Sequence, residues 1–175
     1  MKTFLKEISF QSTKPTYLLN LTKKVNTIIE KLKVKAGFVV INTKHTTLGV
    51  VVTEVSEPNL LKDFIHHSLV SVAEDRRSTR AVRSYSYPTE DYQHRCQDNP
   101  YCNEIDEDYN AGAHIRMLTF SHPSITLPIR KGKMELGKYQ EIAAFEFDGR
   151  DGKGKNPIRK RTIQLWIYPV EEIIE

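Results

Sequence analysis

Two β-branched runs, Phe38-Val-Val-Ile-Asn42 and Leu48-Gly-Val-Val-Val-Thr53, commit the first third of the chain to sheet. Branching at Cβ restricts χ1 and suits the pleated surface of a strand. Only Thr43-Lys-His-Thr-Thr47 separates the runs, which predicts adjacent strands of one sheet, as a hairpin or a bulged continuation. His45 then stands at a strand end, where a side chain can reach a pocket.

The remaining periodicities predict an α+β chain, a largely antiparallel β-sheet sandwich with two main helices. Residues 2–10 alternate and read as an opening strand. From Thr16, the residues Leu18, Leu21, Val25, Ile28, Ile29 and Leu32 recur at helical steps, with Gly37 as a stop. Ser56-Glu-Pro58 opens a second helix, with Ser56 as the expected cap and apolar positions running to about Val72. Residues 110–118 suggest a short helix capped by Asn110. Strands are expected at 124–129, 134–136, 139–147 and 162–168, with a turn at Lys131-Gly132.

Size and composition bound the rest. At 175 residues, 39% hydrophobic and 27% charged, the chain reads as one soluble domain over 1–175. Residues 75–108 lack sustained periodicity and read as an irregular insertion. No apolar run is long enough for a membrane span, and no signal peptide is evident, so a cytoplasmic location without membrane contact is expected. A disulfide between Cys96 and Cys102 is disfavoured there, and their spacing does not suit a zinc knuckle. The net charge of +4 is concentrated in Arg150, Lys153, Lys155, Arg159, Lys160 and Arg161. That cluster reads as a solvated hairpin turn; without interleaved aromatic residues, nucleic acid is disfavoured as a partner.

The candidate chemistry centres on His45, His94 and His114. Each lies beside small or hydroxyl-bearing residues, and neutral imidazole is a transition-metal ligand. Each also has a structural reading, His45 as a turn residue with Thr46 and Thr47 as local backbone partners. Glu54 is placed as a base or as an orienter of a ligating histidine. Gln140 either lines a pocket or follows a turn glycine. No nucleotide-binding loop or nucleophile elbow is present.

At these residues the chain resembles the YjbQ-like family, whose members are often labelled secondary thiamine-phosphate synthase. The likeness runs from the opening strand to about Tyr168. It is carried by His45-Thr46-Thr47, Glu54–Pro58, Tyr92–His94, Asn110–His114, Ser124–Pro128 with Gly132, and Gly137–Gln140. The resemblance implies a YjbQ-like fold, a homotrimer, and a site where His45, His94 and His114 hold a divalent metal, zinc, or an oxyanion. Glu54, Asn110 and Gln140 would line it, with Thr47 close behind. His45, Glu54, Asn110 and Gln140 are accordingly the expected catalytic residues. Lys44, Thr46, Thr47 and Arg116 are the expected substrate-binding residues, although Lys44 and Arg116 equally suit a solvated surface. Where the family has acidic residues, this chain has Tyr109 and Gly112.

The implied activity joins a hydroxymethylpyrimidine pyrophosphate to a thiazole phosphate with loss of pyrophosphate, which would bring magnesium as a further candidate metal. The expectation is thus a metal-dependent transferase acting on a phosphorylated small molecule. The alternatives are a non-catalytic trimer that binds a metal or phosphometabolite, and an RNA-associated protein using the basic loop.

Overall fold

The computed structural model describes residues 2–72, 110–150 and 158–171. The expected insertion at 75–108, His94, both cysteines and most of the basic loop lie outside the described residues.

Eight strands and three helices are described: β1 (Phe4–Ser12), β2 (Tyr17–Asn20), α1 (Thr22–Lys31), β3 (Gly37–Thr43), β4 (Leu48–Thr53), α2 (Pro58–Ser71), α3 (Ala111–Phe120), β5 (Ser124–Arg130), β6 (Lys133–Met134), β7 (Glu141–Glu146) and β8 (Arg159–Pro169). They form one five-stranded sheet in the order β1-β8-β3-β5-β6 and one three-stranded sheet in the order β2-β7-β4. Every pairing is antiparallel. The α+β sandwich read from the sequence is the fold of the chain.

Several of the expected details differ. Thr16–Asn20 does not open the first helix: Tyr17–Asn20 is β2, paired with Ala143–Glu146 of β7. Leu18 and Leu21 satisfy the helical period, but the ladder offered by β7 decides the backbone of the first four residues, and the helix begins only at Thr22. The runs at 37–43 and 48–53 are strands, yet they are not partners. β3 pairs with β5 and β8, while β4 pairs with β7 in the other sheet. Residues 44–47 therefore carry the chain from one sheet to the other.

The two sheets bury one core between them. Val39, Ile41, Ile163, Leu165 and Ile167 from the larger sheet meet Leu48, Val50, Ile142 and Ala144 from the smaller. The buried Val25 and Ile29 of α1 close one side. On the opposite face of the smaller sheet, Phe145, Ala143 and Leu18 pack against Ala113 and Met117 of α3, with Leu61 and Ile65 of α2 at the margin. Alternate β7 residues thus serve two cores, which suits a strand buried on both faces.

Helix α2 starts one residue later than expected. Glu57 rather than Ser56 is the cap, its carboxylate accepting from Asn59 N and Leu60 N. These two amides hold the Glu57 carboxyl below its ordinary range, and the Lys62 charge adds to the shift. Ser56 instead donates its hydroxyl and backbone N–H to Glu141, at 2.7 and 2.6 Å. At the start of β3, Gly37 has φ +145°, and a Cβ there would lie 2.1 Å from the Tyr168 carbonyl oxygen. Only glycine fits that approach. No helix among the described residues is long and apolar enough to cross a membrane.

Candidate functional site

The crossover at 44–47 sets Thr47 between the two sheets, 3% exposed, at the end where β7 and β8 also place charged residues. Residues Arg159, Arg161, Ile163 and Leu165 alternate along β8 with the exposed Lys160 and Trp166, so both arginines follow the inward register. Arg161 is 4% exposed and Glu146 is fully buried. Arg161 Nε donates to Glu146 Oε2 at 2.6 Å, and Nη2 donates to Oε1 at 2.8 Å. Nη2 also donates to Thr47 Oγ1 at 2.9 Å.

The Phe147 and Asp148 backbone amides complete the shell of Glu146 Oε1, at 3.1 and 2.9 Å. A buried carboxylate met by a two-nitrogen guanidinium and two amides has its lone pairs satisfied.

A second carboxylate extends this cluster towards solvent. Asp148 Oδ2 accepts from Asn110 Nδ2 at 3.0 Å and pairs with Arg159 Nη2 at 2.8 Å. These last side chains are 15% and 19% exposed, against 1% and 5% for Glu146 and Arg161. The charge gradient thus runs from a closed inner pair to an outer pair at the rim. Asn110 caps nothing: its side chain turns to Asp148 and makes no bond to the first turn of α3. Its Oδ1 is buried and meets no donor among the described residues.

Beside the outer pair stands His45, half-buried. The β3–β8 ladder ends at Thr43↔Ile163, and the next amide of β8, Thr162 N, donates to His45 Nε2 at 3.1 Å. Burial pushes the imidazole below its ordinary pKa, the Arg161 charge adds to the shift, and Glu146 opposes it. The ring is therefore neutral at pH 7. Tyr17 flanks the inner pair from β2. Burial raises its phenol above the ordinary value, and the Glu146 charge contributes in the same direction.

The expected site residues fall into three groups. His45, Thr47 and Asn110 come together in this cluster, with Thr47 behind the front as expected, and Lys44 and Thr46 are exposed on the same crossover. Arg116 is only 2% exposed and donates to the Val72 and Phe147 carbonyls at 2.8 and 3.3 Å. It ties α3 to the end of α2 and is closed to a substrate. Glu54 and Gln140 lie at the far end of the small sheet, beyond the Thr53↔Glu141 pair, whereas Thr47 adjoins the Leu48↔Glu146 pair. A six-residue strand separates those ends by about 17 Å. Within one chain they do not meet His45, and Gln140 Oε1 accepts locally from Gly137 N at 2.8 Å.

Of the three histidines expected to hold zinc, His45 and His114 lie among the described residues. A ligating imidazole must offer a lone pair, and that of His45 Nε2 is held by Thr162 N–H. His94 lies outside the described residues. The half-buried His114 stands in the first turn of α3. Among the described residues no group of three or more histidine, cysteine or carboxylate side chains is gathered to hold a metal ion.

Glu146, Asp148, Arg159 and Arg161 are the members that sequence reasoning missed. Two signals were present: a carboxylate inside the apolar run Ile142–Phe147, and two arginines in the same alternation as Ile163 and Leu165.

Comparison with known proteins follows the same bounds as the fold. The sequence profile of the family described as "UPF0047 protein YjbQ-like" matches residues 6–168. A UPF0047 protein of Archaeoglobus fulgidus is 26% identical over 145 residues, covering 82% of this chain and 90% of the relative. The UPF0047 protein YugU of Bacillus subtilis is 24% identical over 147 residues, covering 83% and 90%. A crystal structure from Sulfolobus solfataricus, described as a YbjQ-like protein of unknown function, is 25% identical. It superposes with a TM-score of 0.70 over 95% of this chain and 96% of that one. A hypothetical protein of Aeropyrum pernix shares the fold, with a TM-score of 0.71 at 23% identity over 97% and 100% of the two chains.

Proposed function

We propose that this chain, which belongs to the UPF0047 YjbQ-like family, joins a pyrimidine pyrophosphate to a thiazole phosphate. The observation that carries the reading is the engagement of the site's proton acceptors. Glu146 is held by Arg161 and two amides, Asp148 by Arg159 and Asn110, and His45 Nε2 by Thr162.

A cluster of that kind favours a reaction that needs no proton abstraction, and this transfer is one. The thiazole nitrogen supplies its own lone pair to the pyrimidine methylene carbon. The carbon–oxygen bond breaks with its electron pair leaving on pyrophosphate, and no proton moves. What the departing pyrophosphate needs is positive charge and hydrogen-bond donors. Lys44, exposed on the crossover beside this cluster, supplies the charge. Magnesium enters this reading only as the ion carried by the pyrophosphate substrate.

The same engagement favours a second reading, a site that binds a phosphorylated metabolite without turnover. One experiment separates them. The purified chain is incubated with hydroxymethylpyrimidine pyrophosphate and thiazole phosphate, with magnesium and with chelator, while thiamine phosphate and pyrophosphate are quantified. Equal release of both products, dependent on both substrates, supports the transferase. Pyrophosphate release without the thiazole marks a hydrolase, and a calorimetric binding signal without products marks the binder.

Self-association as a homotrimer belongs to this proposal. What supports association is an apolar stripe on the outer face of the larger sheet. Leu5 lies opposite Trp166 and Phe38 opposite Tyr168, and all four side chains are exposed. Contiguous exposed apolar surface of this kind is characteristic of contact sites.

A further inference from the structure

The hydrogen bond that closes the end of the β3–β8 ladder also fixes the chemistry of His45. Strand β8 begins at Arg159 and outruns β3, so Thr162 N–H has no backbone acceptor on that side. An unsatisfied backbone amide is costly away from water, and His45 Nε2 takes the place of the missing carbonyl. The ring is set for this by its own backbone, since His45 N donates to Thr43 Oγ1 at 3.1 Å.

A neutral imidazole that accepts at Nε2 must carry its proton on Nδ1. That tautomer has no second lone pair. It can neither ligate a metal at Nδ1 nor remove a proton through it. What remains is a donor, and no described residue accepts from it. The charged groups around the ring are Arg161 and Arg159 with their partners Glu146 and Asp148, two guanidiniums and two carboxylates.

We propose that His45 serves this site as a fixed donor, its Nδ1–H hydrogen-bonding a phosphate or pyrophosphate oxygen of the ligand. This rests on the reading that the site takes a phosphorylated small molecule. It assigns His45 a role other than ligand or base.

The test is nitrogen NMR of the full chain labelled with 15N-histidine, with His45 assigned by the loss of its signals in His45→Gln. At pH 7 the expected spectrum has a bare Nε2 and a protonated Nδ1 for this ring. Sodium pyrophosphate should shift the Nδ1 signal saturably, and one equivalent of zinc should leave Nε2 in place. A protonated Nε2, or a zinc-induced shift of the His45 nitrogens, overturns the proposal. Calorimetry on the same samples distinguishes its failure from that of the functional reading. Pyrophosphate that binds while His45 stays unmoved sinks this inference alone. Absence of binding by pyrophosphate and by hydroxymethylpyrimidine pyrophosphate sinks both.

Discussion

Arg161 grips Glu146 through two nitrogens, at 2.6 and 2.8 Å, where the two side chains are only 5% and 1% exposed. The pair joins β7 of the smaller sheet to β8 of the larger, next to the crossover that also delivers Thr47. Breaking such a pair by neutralising one member leaves the other charge buried without compensation. Glu146→Gln is expected to cost roughly 3–5 kcal/mol. Urea unfolding at pH 7 checks this, and Glu146→Gln combined with Arg161→Met should recover part of the loss. A single variant within 1 kcal/mol of the wild type would show that the pair is not closed to water.

Much of this fold was legible in the sequence, because strand and helix periods are local. The β-branched runs, the helix starts near Glu57 and Asn110, and the turn with positive φ at Lys131 and Gly132 all sit within a few residues of their assigned places. What was not legible depends on partners far along the chain. Nothing in Leu18 or Leu21 says that Tyr17–Asn20 will meet β7, and nothing in 38–53 says that two neighbouring strands part into different sheets. The site follows the same rule. His45, Thr47 and Asn110 could be singled out from motifs, whereas Arg159 and Arg161 were absorbed into a basic stretch. Only their register against Ile163 turns them inward, and only the end of β7 and the residues just after it supply Glu146 and Asp148 to meet them.

His45 links stability to pH in a definite direction. Its folded pKa lies below its ordinary value, so at mildly acid pH the unfolded chain takes up a proton that the folded chain resists. The contribution is fully present above the ordinary imidazole pKa and is lost as the pH falls through that range. Wild type should therefore lose more stability between pH 7.5 and 5.5 than His45→Gln, whose amide oxygen can still accept from Thr162 N. Parallel urea midpoints for the two proteins would sink the argument.

Glu141 carries the corresponding acid-range term at the far end of the small sheet. Burial pushes its pKa up, but the Ser56 hydroxyl, the Asn20 amide and the Ser56 and Val55 backbone amides together hold the carboxyl below its ordinary value. Its stabilisation is present above the ordinary carboxylate range and disappears as the pH drops through it. Glu141→Gln is expected to be less stable than wild type at pH 7 and to show a flatter decline between pH 5 and 3. Thermal midpoints at half-unit intervals would register the difference.

Gly149 bounds the site from the β1–β2 side. A Cβ there would lie 1.9 Å from the Lys14 carbonyl oxygen and 2.3 Å from Ser12 Oγ, while its own N–H donates to Pro15 O at 3.0 Å. Gly149→Ala must displace the 13–15 connection, at a cost of more than about 1 kcal/mol. Because Asp148 is the preceding residue, pyrophosphate affinity should fall with stability, whereas Gly132→Ala, strained by its φ of +82° in the β5–β6 turn, should lose stability and leave affinity unchanged. Calorimetric titration of both variants with sodium pyrophosphate decides whether that approach shapes the site.

The apolar stripe makes the last prediction. Trp166 lies opposite Leu5 on one side and Val40 on the other, and Tyr168 lies opposite Phe38, which places one apolar band across β1, β8 and β3. A charge in the middle of that band must be desolvated when two copies meet, but costs the single chain little because the position already faces water. Trp166→Asp is therefore expected to dissociate the assembly while its circular dichroism spectrum stays that of wild type. Light scattering across a tenfold concentration range reads the mass directly. An unchanged oligomer would move the contact away from this face of the sheet, and a wild-type chain that is monomeric throughout would remove the homotrimer from the proposal.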